Sequence, residues 1–178
     1  MRVTIFFLCS FTVLAVADVV TTHIGLQRGG HELNPYTDTR SLWTLARPEL
    51  VLAGAGATSV FLGVCLLRRG TLRDSVGSTR EFYARFWSAP NLFGAMLVFV
   101  PVAIALTRIM PVASNLCMLA FGFSPWLEMT GYIARRFSIS PFAAITLVQG
   151  ILGGFLAVPF TELLRRVMTP DLSPNEAA

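Results

Sequence analysis

Charge is what this chain has least of. Lysine is absent, histidine occurs twice, and only 13% of the 178 residues are charged. A soluble domain carries about 25% charged residues, so there is too little polar cover for a water-soluble globule. All fourteen basic residues are arginine, against ten acidic ones. The excess suits anionic headgroups, but no dense basic patch or aromatic-interleaved strand speaks for nucleic acid. The three cysteines, Cys9, Cys65 and Cys117, all fall in apolar runs. They read as small buried hydrophobes rather than disulfides, zinc ligands or nucleophiles. No phosphate-binding glycine loop or Cys-x-x-Cys pair is present, so no cofactor or metal is expected.

Long apolar runs are what the chain does have: 54% of it is hydrophobic and the mean hydropathy is +0.64. About 20 apolar residues cross a bilayer core. Five segments meet that criterion, at 3–26, 50–67, 91–107, 112–134 and 140–160. The expected fold is therefore all-α, a polytopic transmembrane helix bundle of about five spans, with residues 1–178 as one domain. Pro48 is placed as the first residue of the second span, with Leu42, Trp43 and Leu45 at the headgroup level. Ser78 and Glu81 have the spacing of a capping box. Phe82, Phe86 and Trp87 share one face, which predicts a short amphipathic helix over 79–87 lying on the membrane, or else a continuation of the third span into water.

With the N-terminus cytoplasmic and five spans, eight arginines (2, 68, 69, 73, 80, 85, 135, 136) fall inside and six (28, 40, 47, 108, 165, 166) outside. That bias predicts a cytoplasmic membrane with the N-terminus inside. Ala15-Val16-Ala17 also fits a signal-peptide cleavage site, which would leave Asp18 as the first residue. Against cleavage, the segment stays helix-compatible through Leu26.

Asp18 is the one formal charge between Arg2 and Arg28. A lone charge at mid-membrane costs about 2.5–3.5 kcal/mol on insertion scales. Its helical stripe is Phe11, Leu14, Ala15, Thr21, Thr22 and Gly25, and small or hydroxyl-bearing residues let another helix approach. Asp18 should therefore face the bundle interior. It serves either as a packing group that locks two helices, or, with Thr21 and Thr22, as a proton or cation site. In Gly29-Gly30-His31-Glu32-Leu33-Asn34-Pro35 the glycines stop the helix and Pro35 drives Asn34 to an extended shape. Glu32 and Asn34 can then bond exposed backbone, making a cap over a bundle mouth. The alternatives are a solvated loop or a metal site of His31, Glu32 and Asp38.

The order Asp18, Thr21/Thr22, Gly25-Leu26, Gly30, Glu32, Asn34-Pro35, with the Gly-to-Glu spacing met by Gly29, resembles a family of small, uncharacterised prokaryotic membrane domains. That family places an Asp and a Thr one turn apart in its first span, followed by a Gly-x-x-Glu-x-Asn-Pro loop. Ser114-Asn115-Leu116 and Gly122-Phe123-Ser124-Pro125 match its later Asn-containing span. The good match covers residues 14–36, and the family's second-span Lys is missing. The resemblance implies an integral membrane protein and supplies no reaction.

Glu128 is a second carboxylate in an apolar segment, on a face with Ser124 and Tyr132. It reads as lining a kinked polar helix or as an interfacial side chain near a span end. Gln149 shares a stripe with Thr146 and Gly153, while Gly150/Gly154 and Ala53–Ala57 offer close-packing surfaces within the bundle, between copies of the chain or for a membrane-protein partner. Ser124 with His23 or His31 would be the seed of an intramembrane hydrolase, for which no oxyanion motif is present. The leading expectation is a non-enzymatic scaffold or accessory subunit in the lipid bilayer. Its rivals are a small proton- or cation-coupled transporter built on Asp18, Thr21 and Thr22, and, more weakly, the hydrolase.

Overall fold

The structure is a computed structural model that describes residues 1–69 and 79–168. The described residues form seven helices: α1 (Arg2–Gln27), α2 (Leu42–Arg69), α3 (Thr79–Phe86), α4 (Ala89–Thr107), α5 (Ile109–Phe121), α6 (Pro125–Phe137) and α7 (Pro141–Met168). Among the described residues four stretches are long and apolar enough to cross a membrane: Arg2–Gln27, Leu42–Arg69, Ala89–Phe121 and Pro141–Arg166. Their apolar windows are only 17–28% buried within the protein. Large residues such as Val13, Phe93 and Phe155 stand on the outer surface. Soluble monomers rarely expose more than a few hundred Å² of contiguous apolar surface, so this exterior is built for lipid.

The segment 112–134, predicted as one span, is two helices. Gly122 adopts a left-handed conformation (φ 74°) and ends α5. Ser124 then caps α6, and Pro125 opens it. At 1.5 Å per residue, α6 is about 20 Å long, short of a hydrocarbon core of about 30 Å. The third predicted span continues past Arg108 into α5 instead. Pro111 has no N–H to offer the Thr107 carbonyl, and this weakens the helix where α4 and α5 meet.

α1, α2 and α4 form the centre, and α7 packs on α4. The core, which includes Phe7, Phe11, Val60, Val64, Leu67 and Val98, fills the end of the bundle nearest Arg2. Along α1 the buried residues are Val3, Phe7, Phe11 and Ala15 at four-residue spacing, and then Thr21. Apolar packing thus gives way to polar residues beyond mid-helix. Arg2 and Leu164 line one small groove, so α1 begins where α7 ends.

Phe82 and Phe86 of α3 are fully buried in this core. The apolar face expected to lie on the membrane is spent on the protein itself. Ser78, and with it the predicted capping box, lies outside the described residues. Leu42 and Trp43 are exposed in the first turn of α2, but Leu45 turns into the bundle. α2 therefore starts ahead of Pro48, and its N-terminus is held by a reciprocal cap. The Thr44 amide donates to Ser41 Oγ at 3.2 Å and the Ser41 amide donates to Thr44 Oγ1 at 3.0 Å. The cysteines are free; Cys9, expected to be buried, faces outward and the other two are half-buried.

Candidate functional site

At the end of the bundle away from the core, the C-terminal half of α1, the 28–41 connection, the start of α2, α5 and the starts of α6 and α7 enclose a cavity of about 710 Å³. Asp18, Thr21, Thr22, Glu32, Asn34 and Gln149 all line it. Glu128 does not. It stands exposed in the first turn of α6, where a carboxylate suits the helix N-terminus.

Each wall has a local cause. Gly29 takes φ 86°, and the Gly29 and Gly30 amides donate to the carbonyls of Leu26 (3.1 Å) and Gly25 (3.0 Å). This is the glycine-closed helix end known as a Schellman motif. It turns the chain back over the cavity. The Asn34 amide donates to Glu32 Oε1 at 2.8 Å, and Asn34 Oδ1 accepts from the Tyr36 amide at 3.0 Å. The Thr37 amide donates to the Asn34 carbonyl at 3.1 Å, a β-turn with Pro35 in its favoured second position. The loop is therefore a structured cap, with Glu32 turned to the cavity. Tyr36 packs edge-on against Phe142 of α7, with ring centroids 6.0 Å apart.

Asp38 is occupied elsewhere. Arg40 donates to its carboxylate from Nε at 2.9 Å, and these bonds hold the Asp38 carboxyl down at about 2. Among the described residues no three His, Cys, Asp or Glu side chains gather to hold a metal ion.

The bond that locks α1 to α5 belongs to Asn115. Its Nδ2 donates to Thr22 Oγ1 at 3.0 Å and to Thr21 Oγ1 at 3.2 Å. Among the described residues the Asp18 carboxylate accepts only from Thr22 Oγ1 of its own helix, at 3.5 Å. Among the described residues Asp18 has no cationic partner within ion-pair distance. Asn115→Ala should lower stability by about 1 kcal/mol, since hydrogen bonds between membrane helices average roughly 0.6 and reach about 1.7 kcal/mol. Thermal denaturation in detergent would measure it.

The sequence reading missed an ion pair. Arg108, expected in a connection outside the membrane, lies inside the bundle between α4 and α5. Its Nε donates to Glu49 Oε2 of α2 at 2.7 Å, and its Nη2 reaches the same carboxylate. Its guanidinium lies 4.9 Å from the centroid of the Phe11 ring. Both Arg108 and Glu49 line the cavity.

Ser124 is committed to structure. Its Oγ is 2.8 Å from Ser114 Oγ and accepts from the Leu127 amide at 3.4 Å. His23 pairs with Gln27, and His31 is exposed at the cavity. Neither histidine is a hydrogen-bond partner of Ser124. No protein-family model matches this chain, and no curated protein or solved structure matches it either.

Proposed function

We propose that this chain is an integral, multi-pass membrane protein that binds a small solute in a polar cavity open at one end, acting as a proton- or cation-coupled carrier. The cavity that reaches Asp18 carries this reading. A scaffold needs its buried polar groups satisfied by neighbouring helices, and Asn115 with Thr21 and Thr22 supplies such a lock. Asp18, Glu32 and Gln149 are left turned to open space. Intramembrane carboxylates facing a cavity mark ion and solute pathways. Beyond Asp18 the core packed around Phe7 and Phe11 closes the path, as a carrier open to one side requires.

In this reading the four long helices cross the cytoplasmic membrane of a prokaryote. The end that holds Arg2, Arg68, Arg69, Arg85, Arg165 and Arg166 faces inward, so the cavity faces outward. Gly150 and Gly154 have open space beside them, which leaves that surface of α7 for lipid or a second copy of the chain.

Cysteine labelling in membranes tests the reading. In a background without the three native cysteines, Gln149→Cys should react with a charged, membrane-impermeant thiosulfonate. Val13→Cys, exposed on the outer face of α1, should not, because lipid covers it. Protection of Gln149→Cys would end the solute-binding reading, and reaction of Val13→Cys would end the membrane placement of α1.

A further inference from the structure

We infer that the cavity takes an organic monocation, with its charged group held at Asp18 and its apolar body against the aromatic wall of Trp126, Phe142 and Tyr36. This rests on the solute-binding reading above and narrows it to one ligand chemistry.

Charge balance comes first. The cavity is lined by three carboxylates (Asp18, Glu32 and Glu49) and by the guanidinium groups of Arg28 and Arg108. Arg108 is consumed by Glu49, and Arg28 Nη1 donates to the Leu119 carbonyl at 3.5 Å. Asp18 and Glu32 are left without an ion-pair partner among the described residues, and Arg108 acts on Asp18 only from beyond ion-pair distance. A carboxylate has about four acceptor sites. Asp18 fills one, at 3.5 Å, from Thr22, and Glu32 fills one from the Asn34 amide. The Leu119 carbonyl leaves the charge of Arg28 in place, so three carboxylates outnumber two guanidinium groups by one, and an anion would meet a net negative wall. A cation completes the site.

Size and wall chemistry then separate an organic cation from a bare ion. The cavity of about 710 Å³ is far larger than the roughly 30 Å³ that one water occupies. It falls within the 300–1,000 Å³ of sites for organic ligands. A metal ion needs several converging oxygens, and no three acidic or metal-ligating side chains converge among the described residues. Much of the wall is apolar, from Leu52, Met118, Leu127 and Ile145 as well as the three aromatic residues. Aromatic faces attract cations that have shed water and cover an apolar body.

The test uses the full chain in phosphatidylcholine nanodiscs, with binding to empty nanodiscs subtracted. The probes are tetraphenylphosphonium, its near-isosteric anion tetraphenylborate, and sodium and manganese ions alone. Tetraphenylphosphonium should bind saturably and at least about tenfold more tightly than the borate, about 1.4 kcal/mol in affinity. Sodium and manganese should not displace it at equal concentration. Asp18→Asn should weaken binding about tenfold or more, Trp126→Leu less, and Asp18→Glu should keep most of it. Should Asp18→Asn fail to fold, Asp18→Glu and Trp126→Leu still decide the matter. Equal binding of both organic ions, displacement by a metal ion, or indifference to these substitutions overturns the inference. If Gln149→Cys is labelled yet tetraphenylphosphonium does not bind, the ligand class is wrong and the solute-binding reading stands. If Gln149→Cys is protected, that underlying reading has failed.

Discussion

Arg108→Leu should lower stability by about 3 kcal/mol. Removing one partner of a buried ion pair costs about 3–5 kcal/mol, because the other charge is stranded. The side chains of Arg108 and Glu49 are 11% and 19% exposed, and the pair opens on the cavity, which favours the lower end of that range. Depth adds to the effect. Phe11, against which the guanidinium rests, lies about 14 Å along the helix from Arg2 at 1.5 Å per residue. Arg108→Lys should recover only part of the loss, since an ammonium can neither bond Glu49 with two nitrogens nor lie flat on the ring. The double change Arg108→Leu with Glu49→Met should recover more, because a well-packed apolar pair removes the stranded charge. Thermal unfolding of the wild type, Arg108→Leu, Glu49→Met and the double variant in one detergent, read as a double-mutant cycle, gives the coupling. Equal damage from the single and double variants would show that the pair contributes nothing beyond packing.

Gly63→Val should come next, at about 2–3 kcal/mol, while Gly54→Ala in the same helix should be neutral or stabilising. A Cβ on Gly63 would lie 2.8 Å from the Gly94 carbonyl oxygen and 2.8 Å from Val98 Cγ2. Backbone meets backbone there, so α2 and α4 must separate to admit a side chain, and overpacking of this kind costs about 1–3 kcal/mol. Gly54 has nothing within 4 Å of such a Cβ. Its replacement by Ala gains helix propensity of up to about 1 kcal/mol. The midpoint of Gly63→Val should fall, while that of Gly54→Ala should hold or rise. Similar midpoints would mean that the α2–α4 crossing is looser than described.

The contrast between Gly63 and Gly54 also shows where sequence reading runs out. Small residues mark a helix as able to pack closely, but not which of them touches a neighbour. On α7 the Gly150/Gly154 pair fits the motif and faces open space. Gly153 makes the contact instead: a Cβ there would lie 2.7 Å from the Ala103 carbonyl oxygen. That choice depends on the rotation of α7 against α4, which local pattern does not encode.

Local rules were legible. Gly29-Gly30 closes α1, the Asn34-Pro35 turn shapes the cap, and the Asp18 stripe with Thr21 and Thr22 lies on one side of the cavity. Arg108 was not, because a charge between two apolar runs resembles a connection at the membrane surface. Its partner is 59 residues away, on a helix whose opening turns were hidden by Pro48. The division of 112–134 was half legible. Pro125 is legible as a kink, but only the left-handed Gly122, the capped start at Ser124 and the short length of α6 show that the chain turns rather than kinks.

The central claim is that water enters the bundle as far as Asp18. Cross-relaxation between water and methyl protons, measured by NMR on methyl-labelled protein in nanodiscs, tests it directly. The Thr22 methyl, one turn from Asp18 in the cavity wall, should exchange magnetisation with water, while the methyls of Val98, fully buried in the core, should not. A Thr22 methyl as silent as those of Val98 would contradict the account.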